Sequence, residues 1–459
     1  DDMGLGKTVQ GLAHILQRKQ RGLLKAPVLV ICPTSVISNW SNEAERLAPS
    51  LKVLRLTGSD RFERFAEIQQ HDIVLTSYAL LLRDEESLAL TEWSMIILDE
   101  SQYIKNPATS VAKAACKLRA KARFCFTGTP VENNLRELWS QFNFLMPNML
   151  GNRKSFGNFF QKPIERNQNE ERMRMLKRRI RPFMLRRTKV DVARELPAKT
   201  VILHPVELLG EQRDLYESVR LAMHKRVNDE IREKGITGMR ILIIDALLKL
   251  RQTCCDPRIV KLKMAEGITG SAKMQTLMDM LPQLVAEGRK VIVFSQFRKM
   301  LELIELELQR EKLDYVMLTG LTRDRQRMID KFQSGKVPIF LISLKAGGTG
   351  LNLTAADTVI HYDPWWNPAV EDQATDRAYR IGQDKPVFVY KFIARGSVEE
   401  RIIVMQEHKK GIAGGIFTDG QSGSLAVNQE EIDFLLQPLD MPDPRMMRRR
   451  KPPRLHIVE

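Results

Sequence analysis

The sequence predicts an α/β protein with two lobes, each a doubly wound and mostly parallel sheet, joined by helical insertions. Three observations lead there: short runs apolar on both faces, a polar turn and helical pattern after each run, and a restart of this grammar in the second half of the 459 residues. A strand in a parallel sheet is covered by helices on both sides, so it needs continuous apolar residues instead of alternation.

In chain order, the runs Val28–Ile31, Ile73–Leu75, Met95–Leu98 and Phe124–Phe126 are the expected strands of a first lobe, residues 1–146. From 147 to 270 that pattern disappears, and charged helical segments are expected as an insertion and linker. Within it Leu215, Val219, Met223, Val227 and Ile231 recur every four residues and predict one helix with a packed apolar stripe. The clusters Lys177-Arg178-Arg179-Ile180-Arg181 and Leu185-Arg186-Arg187-Thr188-Lys189 are too rich in cations for a core. After Gly270 a helix is expected over 273–285, followed by strands Val291–Phe294, Val316–Leu318, Ile339–Ile342, Val359–Tyr362 and Val387–Val389, giving a second lobe at 271–415. Residues 416–459 thin into Gly- and Ser-rich sequence ending Arg448 to Arg454, the composition of a flexible basic tail.

Lysine and arginine number 72 against 56 acidic residues, a formal charge of +16 that favours a polyanionic partner over simple colloidal solubility. The five cysteines form no C-x-x-C pair, so neither a zinc site nor a disulfide framework is expected, and a reducing compartment fits. No run approaches the ~20 apolar residues of a membrane span, so a soluble intracellular protein without a membrane partner is expected.

Gly4-Leu5-Gly6-Lys7-Thr8 has the working end of a phosphate-binding loop, where small residues let backbone N–H groups curl around phosphate at a helix N-terminus. Lys7 is placed to neutralise phosphate charge and Thr8 to ligate Mg2+, which makes ATP and magnesium the expected cofactors. The first glycine of the usual eight-residue pattern would fall at Asp1. About ninety residues on, the apolar run Ile96-Ile97-Leu98 delivers Asp99-Glu100-Ser101-Gln102 at its carboxyl end, where the ligand crevice of an open α/β sheet lies. Asp99 is expected to hold the metal through water, and Glu100 to orient and deprotonate the attacking water. In the second lobe Arg377 and Arg380 stand three apart, a spacing that puts both guanidinia on one helical face, within reach of γ-phosphate oxygens. The glycine-rich segment Ser343 to Asn352, with Lys345 and Gly348, lets backbone approach nucleotide or nucleic acid closely.

The order of these blocks resembles the Swi/Snf-type ATPases, a branch of the helicase-like superfamily two, over close to nine-tenths of the chain. Asp2 to Thr8 is similar to motif I of that family, with Gly4, Gly6, Lys7 and Thr8 as ATP-binding positions, and Asp99-Glu100-Ser101-Gln102 to its DEAH-box equivalent, with Gln102 beside the catalytic Glu100. Ser35 with Trp40, Thr76 with Ser77, and Lys105 match expected DNA contacts of the first lobe. Thr127-Gly128-Thr129-Pro130, with Asn133, Asn134 and Trp139, resembles motif III, which couples nucleotide to the DNA track. Ser295 with Gln296, Thr319, Lys345 with Gly348 and Asn352, and Asp376 to Arg380 resemble motifs IV to VI, which implies DNA contacts at Ser295, Gln296, Thr319, Lys345 and Asn352 and an ATP-binding position at Gly348. The blocks Pro182 to Lys189, Leu250-Arg251-Gln252, Asp363-Pro364-Trp365-Trp366-Asn367-Pro368 and Arg380-Ile381-Gly382-Gln383 distinguish this branch from strand-separating helicases. Ser101 stands where the family more often has alanine or glycine, and Tyr379 where histidine is common.

What the resemblance implies is two RecA-like lobes that bind double-stranded DNA, with Trp365 on the DNA and Gln383 at the nucleotide, and that step along it as ATP turns over. The expected partners are duplex DNA and a DNA-bound protein target, the protein working as a monomer in a bacterial cytoplasm and nucleoid, or in the nucleus of a eukaryote. The alternatives are a strand-separating DNA or RNA helicase and a nucleotide-binding scaffold. Because the chain opens directly on the phosphate loop, an upstream strand and an adenine-contacting glutamine are expected outside it.

Overall fold

A computed structural model describes residues 1–459 except 3, 129–133, 168, 194, 235–239, 323, 348–350, 414–428 and 440–459. The described residues fall into two compact units, formed mainly by 1–195 and by 196–459.

In the first unit, strands β1 (Val28–Cys32), β2 (Val53–Arg55), β3 (Ile73–Ser77), β4 (Trp93–Asp99) and β5 (Ala120–Phe126) form a parallel sheet in the order β2-β3-β1-β4-β5. The four strands expected from the sequence are all there, and β2 is too short to announce itself. Continuous apolar sequence has the reason expected of it. Leu29, Ile31, Val74, Ile96 and Leu98 enter a core on one face, whereas Val28, Val30, Leu75, Met95 and Ile97 enter another on the opposite face. The chain leaves β1 towards β2 and β3 on one side, and leaves β4 towards β5 on the other. The carboxyl ends of β1 and β4 therefore flank the topological switch point where ligands of such sheets bind.

Residues 135–184 build a smaller core of their own around Leu138, Phe142, Phe156, Phe160, Leu176 and Ile180. The helix Glu170–Ile180 buries Leu176 and Ile180, one turn apart, and leaves Arg174, Arg178 and Arg179 exposed. Asn169 caps its first turn, beside Glu170 and Glu171, and Lys177, Arg178 and Arg179 fall in the last turn, as the helix dipole favours.

In the second unit, β6 (Lys199–Val206), β7 (Val291–Ser295), β8 (Tyr315–Leu318), β9 (Ile339–Ser343), β10 (Thr358–His361) and β11 (Val387–Ala394) form a parallel sheet ordered β6-β11-β10-β7-β9-β8. The expectation that 147–270 carries no strand is corrected by β6, which pairs with β11 from Lys199↔Val387 to Val206↔Ala394. It is an edge strand whose short apolar run Val201-Ile202-Leu203 is followed by His204 and Pro205, and Val201, Leu203 and Pro205 are exposed. The single insertion expected there is accordingly divided, 147–195 lying with the first unit and 196–270 with the second.

The helices Gly210–Lys234, Arg240–Cys255 and Val398–Ala413 share a core containing Leu215, Tyr216, Val219, Met223, Val227, Leu250 and Val398, so four residues of the expected stripe pack there, and the side chain of the fifth, Ile231, lies outside the described residues. The described part of the supposed tail joins it. Residues Gln429–Leu435 are helical, and Ile432, Leu435, Leu436 and Leu439 are buried in the same core. Leu439 N donates to Glu217 at 2.7 Å, and Arg401 donates to Gln437 O at 2.6 Å. Four apolar residues at helical spacing outweigh the diluted composition around them.

Candidate nucleotide and DNA site

Helix α1 (Lys7–Gln20) begins at Gly6, whose φ of 69° is a left-handed conformation that glycine adopts without strain; Gly4 has φ 83°. Lys7 Nζ donates to the carbonyls of Asp1 and Asp2, both at 3.0 Å, so the ammonium lies inside the curl of the loop. Thr8 follows in the first turn, half-buried.

Asp99 closes β4 at the switch point, and Glu100 turns the chain with φ 53° and ψ 53°. Both are buried. Asp99 Oδ1 accepts from Glu100 N at 3.0 Å, and Oδ2 accepts from the indole Nε1 of Trp40 at 2.9 Å. Burial, and then the neighbouring Glu100 charge, push the Asp99 carboxyl up to about 6, against the opposing effect of Trp40 and Lys7. Gln102 Nε2 donates to Glu100 Oε2 at 2.9 Å, and Gln102 Oε1 accepts from Thr127 Oγ1 at 3.0 Å. Glu100 is thus joined through Gln102 to Thr127, which follows the end of β5. Tyr78 Oη donates to Asp99 O at 2.8 Å, and its ring stacks on Tyr103 at 4.7 Å and 2°. Sequence reasoning missed the Tyr78–Tyr103 stack, whose members lie 25 residues apart with no shared motif.

This donor set fits a hard divalent cation shared with phosphate. It offers the oxygen of Thr8 and the Asp99 carboxylate, which has the Glu100 carboxylate beside it in the chain. Among the described residues no group of three or more His, Cys, Asp or Glu forms a self-sufficient metal cage, and a nucleotide-bound magnesium needs only one or two protein ligands.

Several expected DNA contacts occupy other positions. Trp40 is fully buried against Asp99. Thr76 and Ser77 are buried at the end of a central strand, Thr76 donating to Leu56 O at 3.4 Å and Ser77 capping the helix Tyr78–Arg83. Ser295 is buried and donates to Asp363, which also accepts from Gln296 N at 3.2 Å; this joins the ends of β7 and β10 at the switch point of the second sheet. Thr319 is buried, its hydroxyl accepting from Leu321 N at 3.3 Å to build a turn. These side chains hold strand ends and turns within the protein. Ser35, Lys105 and Trp365 are half-buried and Asn352 is exposed. Gly348, Thr129, Pro130 and Asn133, and the side chain of Lys345, lie outside the described residues.

Gln383, expected at the nucleotide, is also buried. Its amide nitrogen donates to Thr354 O at 3.1 Å, Ala356 O at 2.8 Å and Ala378 O at 3.0 Å, so it clasps the loop before β10. Arg377 and Arg380 do not share a helical face: the helix Pro368–Thr375 ends before them, and they lie in successive turns marked by Arg377 N→Ala374 O at 3.2 Å and Gln383 N→Arg380 O at 2.9 Å. Arg377 is buried and Arg380 half-buried. Behind Trp365 and Trp366, Arg251 lies 5.8 and 4.8 Å from the two ring centres and donates to Pro364 O.

A phosphate loop, an acidic pair at a switch point and two parallel-sheet units define the phosphate-loop α/β class. Within it, the SNF2-related domain matches residues 1–259 and the helicase conserved C-terminal domain matches 272–382. The chain belongs to the SNF2-related family. It is 41% identical over 422 residues, 89% of its length, to YwqA of Bacillus subtilis, named as an ATP-dependent helicase/translocase. It is 36% identical over 437 residues to MG018 of Mycoplasma genitalium, named as an ATP-dependent helicase. The chain spans under half the length of these relatives, 45% and 41%. Among solved structures, the Sulfolobus solfataricus SWI2/SNF2 ATPase core in complex with dsDNA is 36% identical, covering 96% of this chain and 92% of that one, with a TM-score of 0.45.

Proposed function

We propose that this chain is a DNA-dependent ATPase that couples ATP hydrolysis to translocation on double-stranded DNA and so remodels or displaces bound proteins. The observation that carries the reading is the buried Asp99–Glu100 pair at the switch point, with Glu100 linked through Gln102 to Thr127. An acid held this way is oriented for one proton acceptor role, and its link to Thr127 gives nucleotide state a route to the motif III segment.

Lys7 and the amides after Gly4 and Gly6 bind phosphate oxygens, while Thr8 and Asp99 hold the metal side of the nucleotide. Magnesium, when bound, offsets negative charge on the β- and γ-phosphates. Glu100 accepts the proton of the attacking water, with Gln102 fixing its carboxylate. Arg377 and Arg380 of the second unit are assigned the charge that develops on the γ-phosphoryl group. For DNA, Ser35, Lys105, Lys345, Asn352 and Trp365 remain candidates, together with the exposed cations Arg174, Arg178 and Arg179. The track is duplex DNA, engaged by one copy of the chain, in the nucleoid of a bacterium or the nucleus of a eukaryote. No helix among the described residues is long and apolar enough to cross a membrane.

The test compares ATP turnover with duplex and with single strands, alongside displacement of a third strand from a triplex. Duplex is expected to stimulate best and the third strand to leave without separation of the duplex. Efficient unwinding of a fork would establish the helicase reading instead, and turnover indifferent to DNA would defeat both.

A further inference from the structure

Trp40 lies at the heart of the first unit. It projects from α2 (Ile37–Leu47), the helix that follows β1, and is wholly buried among Val28, Val30, Leu75 and Ile97. Packing accounts for its rings but not for its indole N–H, which donates at 2.9 Å to Oδ2 of Asp99. Other buried tryptophans satisfy that group with backbone: Trp93 donates to Leu88 O at 3.0 Å, and Trp139 to Gly151 O at 2.9 Å. A carboxylate acceptor makes the bond of Trp40 charge-assisted, and roughly twice as strong as those neutral ones.

The opposite end of the indole meets the phosphate-loop helix. A Cβ added at Gly11 would lie 2.9 Å from Cη2 of Trp40 and 3.0 Å from Cε2 of Phe126, so α1 can approach the ring this closely only through glycine. Gly11 lies one turn beyond Lys7 on the same helix. One rigid ring therefore spans the helix that carries the phosphate-binding lysine and the acid at the end of β4. Asp99 Oδ1 is fixed separately by Glu100 N, so both oxygens are oriented, and each retains a second acceptor site.

We propose that Trp40 is a positioning residue of the nucleotide site: its indole N–H sets the Asp99 carboxylate for the metal–nucleotide complex, and Gly11 of α1 sets the indole. This deepens the ATPase reading above and rests on it. Trp40 touches neither substrate nor metal, and its effect passes through Asp99.

The readout is the gain in ADP affinity that Mg2+ confers, measured by calorimetry on the full 459-residue chain with and without Mg2+. Trp40→Phe keeps the apolar ring and removes the donor. Its metal-free ADP affinity is expected to stay within about twofold of wild type, while the Mg2+ gain falls by about tenfold or more, the scale of a lost hydrogen bond to a charged group. A Mg2+ gain equal to wild type overturns the proposal. Should Trp40→Phe fail to fold, Gly11→Ala decides: it alters no polar group, yet it displaces the indole and is expected to lower the Mg2+ gain in the same way, and an unchanged gain overturns the proposal. A wild type with no Mg2+ gain would remove the nucleotide reading and this inference together, a result distinct from a gain that wild type shows and the variants keep.

Discussion

Glu100 is a non-glycine residue held in the left-handed region, a conformation that costs on the order of 1–3 kcal/mol and persists where surrounding bonds over-determine it. Here Tyr103 N donates to Glu100 O at 3.1 Å, Gln102 holds its carboxylate, and Tyr78 anchors the preceding carbonyl. The consequence is a carboxylate presented at one place instead of sampling several. Glu100→Gln preserves this geometry and removes the proton acceptor, so turnover should drop by about 10² to 10⁴ while ADP affinity stays near wild type. Lys7→Ala should weaken ADP binding itself. Direct ADP titration of both variants separates them, and equal loss of binding in the two would take the water-activating role away from Glu100. Gln383 is a conspicuous polar residue whose amide nitrogen donates to three backbone carbonyls.

At the scale of elements, β10 is the instructive strand, because it ends on a buried histidine. His361 is buried, stacks on Phe294 at 5.4 Å, and shares a 2.9 Å bond between Nε2 and the Thr375 hydroxyl. Glu371 and Asp372 on the adjoining helix favour its protonation, and Lys391 on β11 opposes it, but burial dominates and lowers its pKa to about 4. In the unfolded chain the same group titrates near 6.5. Between these values the unfolded state binds the additional proton, so this contribution to stability is complete above pH ~6.5 and is lost as pH falls towards 4. The difference is on the order of 3 kcal/mol for this group. Urea unfolding of the wild type at pH 7 and pH 5 should therefore differ more than that of His361→Gln. Parallel pH profiles for the two proteins would show that His361 is not the group responsible.

For the whole molecule, the controlling quantity is charge. The excess of 72 basic over 56 acidic residues is not spread evenly: the helix Glu170–Ile180 turns apolar residues inward and arranges Arg174, Arg178 and Arg179 outward. Binding to DNA through such groups releases counterions, so affinity should be tolerant of sequence and fall steeply with salt. Replacing Arg174, Arg178 and Arg179 together by glutamine should flatten the slope of log affinity against log salt by about 3 at most, roughly 0.9 per lost phosphate contact. A slope identical to wild type in a filter-binding or anisotropy titration would place the DNA elsewhere. Arg174 and Arg178 lie outside the buried core of this segment, whereas Arg179 lies 5.8 Å over the ring of its Phe160, so circular dichroism of the variant accompanies the titration.

The sequence by itself determined the elements whose signal is local. Nine of the eleven strands among the described residues were readable because their runs are continuously apolar, and the candidates Lys7, Thr8, Asp99 and Glu100 stood out because phosphate and metal chemistry restricts residue type and spacing. Only the tertiary structure decided what depends on neighbours remote in the chain. It placed the half-exposed edge strand β6 against β11, and folded 429–439 into the second unit's core. It also gave Trp40, Thr76, Ser77, Ser295, Thr319 and Gln383 buried positions, with partners inside the protein. The physical reason is that a polar side chain looks the same in sequence whether its partner is a ligand or a buried protein group. Burial and the nearest donor or acceptor make that choice, and both are set by packing across the sheet.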